Sequence, residues 1–291
     1  MRLEFVNPFR VSDGKQFRLK DFEPAETLGV KSKEQAKETL ERGIARLADL
    51  QEKLYAQDRW AILVVLQAMD AAGKDSTIKH VMSGLNPQGC QVTSFKAPST
   101  EELQHDFLWR TSRSLPERGK IGIHNRSYYE EVLVVRVHPE FLDRERIPTQ
   151  LKSDRIWQER FEEINAFERY LVRNGIVPVK FFLHLSKKEQ RKRFLERLDD
   201  REKEWKFSVS DAKERQYWDR YMQAYEDMIQ NTSSKHAPWH VVPADHKWFT
   251  RLVVAEAIID VLEGLDLAFP KLDSGEQKEL KKARKALLSE S

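Results

Sequence analysis

The run Ala-Ile-Leu-Val-Val-Leu at 61–66 leads directly into Gln-Ala-Met-Asp-Ala-Ala-Gly-Lys-Asp-Ser-Thr at 67–77. No other junction constrains the fold as much. An apolar run without polar alternation reads as a strand covered on both faces. The small residues after it permit a tight turn, and a helical pattern follows. A strand, a Gly-containing loop and a helix start form a ready anion site, because the first backbone N–H groups of a helix have no partner within it. The P-loop (Walker A) pattern G-x-x-x-x-G-K-[ST] is met at Gly73-Lys74. It is broken twice, with Ala68 in place of the first Gly and Asp75 in place of the hydroxyl residue.

The rest of the chain repeats the alternation. Apolar segments at 61–66, 91–95, 121–123, 176–185 and 239–242 are separated by helical patterns near 74–84, 100–113, 149–174, 187–199, 211–230 and 246–264. Strands spaced by helices indicate a parallel sheet with both faces covered. The expected fold is α/β: a three-layer α/β/α P-loop kinase-like domain with a five-stranded parallel sheet and a helical lid. Residues 1–30 read as irregular, and together with a helix opened by Ser32 and Gln35 they make an N-terminal extension over 1–57. A lid is expected at 187–210, and a charged tail, solvated or frayed, over 271–291. The whole chain, 1–291, reads as one domain.

In the loop, Ala71, Ala72, Gly73, Lys74, Asp75 and Ser76 are the expected phosphate-binding residues, and Lys74 brings a positive charge to the transferred group. Asp70 sits where a carboxylate would repel phosphates unless a cation intervenes, so it is a candidate metal ligand or base. Asp75 is placed to interact with the helix N-terminus.

A second polar cluster follows the 121–123 strand: His124-Asn125-Arg126-Ser127, then Glu130 and Glu131. Ligands of open α/β sheets bind at the carboxyl ends of strands. Arg126 is placed to stabilise charge on a transferred phosphoryl group, Asn125 is at best a neutral oxygen ligand, and the glutamates are possible metal ligands. A third cluster, 187–206, holds nine basic and six acidic residues. Arg193 and Arg197 are four apart and share a helix face. As a lid, such a segment brings cations over phosphates, and a solvated helix would carry the same charges.

Lys and Arg total 50 against 47 Asp and Glu, so the formal net charge is only +3. That balance argues against a chain devoted to nucleic acid, and no aromatic stacking motif accompanies the basic run. Cys90 is the only cysteine, which excludes an internal disulfide and a multi-cysteine metal site. With no signal-like start and no apolar run long enough to span a bilayer, a cytoplasmic protein without membrane association is expected.

Three segments together resemble the polyphosphate kinase 2 family: AMDAAGKDSTIK (68–79), NRSYYEEV (125–132) and EQRKRFLERLDDREKEWKF (189–207). With APW (237–239) and VPAD (242–245), the resemblance covers roughly residues 30–265. It implies reversible phosphoryl transfer between inorganic polyphosphate and nucleotides, with Mg2+ or Mn2+. It places catalytic roles on Asp70, Lys74 and Arg126, and metal binding on Asp70 and Glu130. Nucleotide contacts fall on Asn125, Arg126 and Glu130, and polyphosphate contacts on Lys74, Arg126, Arg193, Arg197 and Lys206. Many family members carry Asp-Arg-Ser-Trp-Tyr-Asn where this chain has Asn-Arg-Ser-Tyr-Tyr-Glu at 125–130. The Glu130 form resembles the class III subgroup, which implies that AMP and ADP are both acceptors. The resemblance also implies a homodimer or homotetramer. An ATP-dependent nucleoside monophosphate kinase and a non-catalytic polyphosphate-binding regulator are the alternatives.

Overall fold

The computed structural model describes residues 5–30 and 32–290. In chain order the elements are β1 (Arg10–Val11), α1 (Lys33–Gln57), β2 (Ala61–Gln67), α2 (Lys74–Val81), β3 (Cys90–Ser94), α3 (Trp109–Ser112), β4 (Ile121–Asn125), α4 (Val134–Val137), α5 (Ile156–Arg173), β5 (Ile176–His184), α6 (Lys187–Leu198), α7 (Val209–Glu214), α8 (Trp218–Thr232), β6 (Trp239–Pro243), α9 (Lys247–Glu263) and α10 (Ser274–Ser289). The sheet order is β1-β6-β5-β2-β4-β3. All pairs are parallel except β1 with β6, which is antiparallel.

The five expected strands are all present, and β1 makes a sixth. Two residues are too short to show a strand period, so β1 is invisible in the sequence pattern. The segment around it is no loose extension: Val6, Phe9, Val11, Phe17 and Leu19 are all buried. Two helical expectations shrink. The 100–113 pattern forms only a 3-10 turn (Glu102–Gln104) and α3, and the 149–174 pattern becomes helical at Ile156. The 211–230 pattern is broken by a 3-10 turn at Arg215–Tyr217 between α7 and α8. The tail forms α10, exposed along its whole length.

Because strand side chains alternate between faces, β2 serves both outer layers. Ile62, Val64 and Leu66 pack with Leu47 and Leu54 of α1 and Phe249, Val253 and Ala257 of α9. Leu63 and Val65 pack with Phe161 of α5 and Tyr225 and Met228 of α8. The strand sits at the point where the winding reverses: β4 lies on one side and β5 on the other. A crevice therefore opens at the carboxyl end of β2, where ligands of such sheets bind.

Beneath the crevice is a buried polar network. Lys180 of β5 and Glu168 of α5 are both fully buried. Lys180 Nζ donates to Glu168 Oε2 (2.7 Å), Tyr129 Oη (2.9 Å) and the Thr232 carbonyl (2.8 Å). Tyr128 and Tyr129 both donate to Glu168 Oε1, at 2.8 and 2.6 Å. The ion pair thus ties the segment after β4 to the sheet from below. No helix among the described residues is long and apolar enough to cross a membrane.

Candidate active site

The loop leaving β2 turns left-handed twice, at Ala71 (φ 63°) and at Gly73 (φ 106°). Glycine takes that conformation freely, whereas an L-residue does so at a cost of about 1–2 kcal/mol. Ala68, the departure at the first motif glycine, is not among the residues with positive φ. Gly73 is the N-cap of α2 and supplies no side-chain cap. The N–H groups that open α2 are left for an anion. Space above Gly73 is open: an added Cβ would meet only Lys247 Cγ, at 4.0 Å.

Lys74 folds back over this loop, with Nζ donating to the Ala68 carbonyl at 2.9 Å. Its pKa is lowered, first by burial and then by Arg126, against the pull of Asp70, Glu130 and Asp75. Arg126 leaves β4 in a left-handed kink of its own (φ 65°), anchored by its N–H on the Leu66 carbonyl at 3.0 Å. That kink carries its guanidinium across to the loop. Nη2 donates to Asp70 Oδ1 at 3.0 Å and Nη1 to Glu130 Oε2 at 3.2 Å. Glu130 and Asp70 together raise the Arg126 pKa, so the guanidinium is a permanent cation.

Glu130 is fixed from its other side by Gln67. With the amide oriented to satisfy both ends, its nitrogen donates to Glu130 Oε1 (2.9 Å) and its oxygen accepts from the Ser127 N–H (3.2 Å) and hydroxyl (3.1 Å). Asn125 Nδ2 donates to Asp75 Oδ1 at 2.5 Å, which joins β4 to the first turn of α2. The structure therefore brings Asp70, Lys74, Asp75, Asn125, Arg126 and Glu130 together at the ends of β2 and β4.

The lid residues are placed differently from one another. Arg193 is buried behind the loop, and all five of its N–H donors are used by protein acceptors: Glu189 Oε1, and the carbonyls of Ala71, Ala72, Ala244 and Asp245. Its donors are turned to the loop backbone and to the end of β6, and not outward toward the polyphosphate contact expected of it. A helical period tells which face a residue occupies, not whether that face is covered. Arg197 lies half-buried with its guanidinium 5.7 Å from the Phe194 ring centre. The Asp211 carboxyl is pushed up by burial and by Asp70, against Arg197 and Arg126, so the lid and the loop share one electrostatic neighbourhood. The side chain of Lys206 lies outside the described residues.

Two cations escaped the sequence reading. Lys247 and Arg251, one turn apart on α9, flank the loop. Arg251 Nη2 donates to Ser76 Oγ at 2.9 Å, and its Nε is buried without a hydrogen-bond partner among the described residues. Burial lowers the pKa of both, and Lys247 is also repelled by Arg193 and Arg251. Their signal lay in the segment after the last strand, Val-Pro-Ala-Asp-His-Lys-Trp-Phe-Thr-Arg, since that strand ends beside the loop.

A cavity of about 240 Å3 opens beside Arg126 and Glu130, lined also by Lys96, Phe107, Arg110 and Phe141. Apolar walls with a few charged groups at one end suit a nucleoside whose phosphates face the loop. No cluster of three or more metal-binding side chains exists among the described residues. Mg2+ does not need one, since it takes one or two carboxylates and completes its shell with phosphate oxygens and water. Asp70 and Glu130, both turned to Arg126, fit that donor set.

Comparisons with known proteins identify the relatives of this chain. The family model described as Polyphosphate kinase 2 (PPK2) matches residues 30–269. A relative from Rhodopseudomonas palustris, "ADP-polyphosphate phosphotransferase", is 53% identical over 281 residues, covering 96% of this chain and 97% of the relative. "AMP/ADP-polyphosphate phosphotransferase" from Meiothermus ruber is 44% identical over 274 residues, covering 94% of this chain and 98% of its own. The crystal structure of polyphosphate kinase 2 from Arthrobacter aurescens TC1 superposes with a TM-score of 0.87 at 42% identity, over 98% of this chain and 96% of that one.

Proposed function

We infer, for a chain that belongs to the polyphosphate kinase 2 family, a phosphotransferase that moves phosphoryl groups between inorganic polyphosphate and nucleotides. AMP is converted to ADP and ADP to ATP, reversibly. The observation that carries the site assignment is Arg126 bridging Asp70 of the loop and Glu130 at the cavity mouth.

In the forward direction, an oxygen of the nucleotide's terminal phosphate attacks the end phosphorus of polyphosphate. The new P–O bond forms as the bridging P–O bond breaks, and the shortened polymer leaves with that oxygen and its electron pair. The attacking oxygen is already ionised near neutral pH, so no strong base is required. Positioning and charge neutralisation then carry most of the rate.

Lys74, Arg126 and the N–H groups opening α2 bind the transferred phosphoryl oxygens. Polyphosphate runs along Lys74 toward Lys247 and Arg251, with Arg197 over it from the lid. The nucleoside occupies the cavity beside Glu130, and Asn125 steadies Asp75 at the loop. Asp70 and Glu130 would hold Mg2+ or Mn2+, which supplies further charge neutralisation on the phosphates. A homodimer or homotetramer is expected, with the outer face of α1 as a contact surface.

Glu130 supports AMP as an acceptor. It is fixed by Gln67 and Arg126, and a carboxylate held there would bind a divalent cation that orients the shorter nucleotide's single phosphate. The test is product analysis by chromatography of the purified chain with AMP, Mg2+ and long-chain polyphosphate, with no ATP. ADP and then ATP are expected. ATP formed from ADP but nothing from AMP would limit the acceptor to ADP, the nucleotide in the name of the Rhodopseudomonas relative. Activity only with ATP as donor would overturn the polyphosphate assignment.

A further inference from the structure

Three consecutive carbonyls of the phosphate loop, those of Asp70, Ala71 and Ala72, are all held by side chains of α6. Gln190 Nε2 donates to the Asp70 carbonyl at 3.0 Å. Arg193 Nη1 donates to those of Ala71 and Ala72, both at 3.0 Å. Arg193 Nη2 reaches the far side of the crevice, to the carbonyls of Ala244 (2.7 Å) and Asp245 (2.9 Å) just after β6. Glu189 holds Nε at 2.9 Å. Gln190 is 1% and Arg193 4% exposed, so water does not compete for these bonds.

Peptide planarity converts this grip into a constraint on the anion site. In a trans peptide the carbonyl of one residue and the N–H of the next point in opposite directions. Fixing the Asp70 and Ala72 carbonyls toward α6 turns the N–H groups of Ala71 and Gly73 away from it. Meanwhile the Ala72 N–H closes a turn on the Met69 carbonyl at 3.3 Å. The grip falls on Ala71, whose left-handed φ of 63° an alanine does not favour. Gln190 in turn accepts from Arg215 at 2.6 Å through Oε1. Arg215 lies in the 3-10 turn between α7 and α8 and also donates to the Lys187 carbonyl at 3.2 Å. A continuous chain of hydrogen bonds therefore runs from the turn between α7 and α8, through α6, to the loop.

We propose that Gln190 and Arg193 are positioning residues for phosphoryl transfer: they hold the phosphate loop in its strained anion-binding shape and couple it, through Arg215, to the turn that joins α7 and α8. Arg193 thus acts on the polymer through the loop backbone and not by contact. The kinetic part rests on the polyphosphate kinase reading above. The exchange measurement below needs no turnover and stands without it.

The test compares Arg193→Lys, which keeps the charge but cannot span four carbonyls, with the same change combined with Ala71→Gly. Arg193→Lys is expected to lower kcat about 10–100-fold while KM for polyphosphate moves less than about threefold, as a small misplacement of reacting groups does. Hydrogen–deuterium exchange over 68–75 is expected to speed up. Adding Ala71→Gly, which removes the conformational penalty, is expected to recover at least about fivefold of the lost kcat. Gln190→Met, which removes only the Asp70 and Arg215 bonds, should give the same pattern with a smaller amplitude, and decides the matter if Arg193→Lys does not fold. A raised KM for polyphosphate at unchanged kcat would overturn the proposal in favour of direct polymer contact. Unchanged loop exchange, or no recovery on adding Ala71→Gly, would overturn it as well. If the wild-type chain shows no turnover, the functional reading fails while the exchange result still judges the clamp.

Discussion

Lys74 is half-buried among three carboxylates and a guanidinium, with a backbone carbonyl as its sole hydrogen-bond partner among the described residues. Such a cation is cheap to redirect onto a phosphate and is already desolvated when it arrives. Lys74→Ala should lower kcat by about 100–1,000-fold, the usual loss for one preorganised charge donor. Its urea midpoint should match that of the parent chain, because no packed apolar group is lost; wild-type turnover in the variant would refute the role. At this scale the Gly-Lys pair and Arg126 were legible because each follows an apolar strand. The left-handed φ at Ala71 was not, since it is imposed by Arg193 from 122 positions away in sequence. Arg193 itself was legible as a cation on a helix but not as a spent one. Lys247 and Arg251 went unread because nothing local links the end of β6 to the loop.

Among the elements, β5 carries the largest departure from its own apolar pattern. Lys180 stands in the middle of Ile-Val-Pro-Val-Lys-Phe-Phe-Leu-His, fully buried. Burial lowers its pKa, and Glu168 pulls the other way. Replacing one member of such a pair leaves the other charged and unpaired. Lys180→Met should therefore destabilise the fold by about 3–5 kcal/mol, read from urea unfolding. Adding Glu168→Gln should restore most of that loss, because an amide oxygen still accepts from Tyr128 and Tyr129. A double variant as unstable as the single would show that the ion pair, and not the orphaned carboxylate, is the source of stability. The five parallel strands were legible from composition and length. The buried lysine gave no warning, because its partner lies on the preceding helix, and β1 is too short to announce itself.

Over the whole molecule, opposing titrations set a window of pH stability. His124, His184 and His240 are each lowered to about 4 by burial. The unfolded chain binds their protons first, so stability is present above the ordinary histidine pKa and is lost as pH falls toward 4. Glu145 is raised to about 8 by burial and by the neighbouring Glu131, against Arg160. From its ordinary value near 4.5 up to about 8, the folded chain keeps a proton that the unfolded chain has released. Stability therefore falls as pH rises through that window. Glu145→Gln should flatten this alkaline limb and raise the urea midpoint at high pH, with little change near pH 4.5. An unchanged slope between about pH 5 and about pH 9 would show that the pair does not hold the proton.

The antiparallel edge pair joins Arg10 and Val11 to His240 and Trp239, and this has a consequence for the order of assembly during synthesis. Of the six strands of this sheet, the first made is the last that can be seated. At ribosomal rates of about 5–20 residues per second, the N-terminal segment must wait roughly 10–50 s for its partner to be made. Val6, Phe9, Phe17 and Leu19 are uncovered through that interval. The central strand meets its neighbours earlier, first β4 and then β5. The nascent chain can therefore form its crevice while the apolar segment around β1 is still unpaired, and chaperone contact during synthesis should concentrate on that segment.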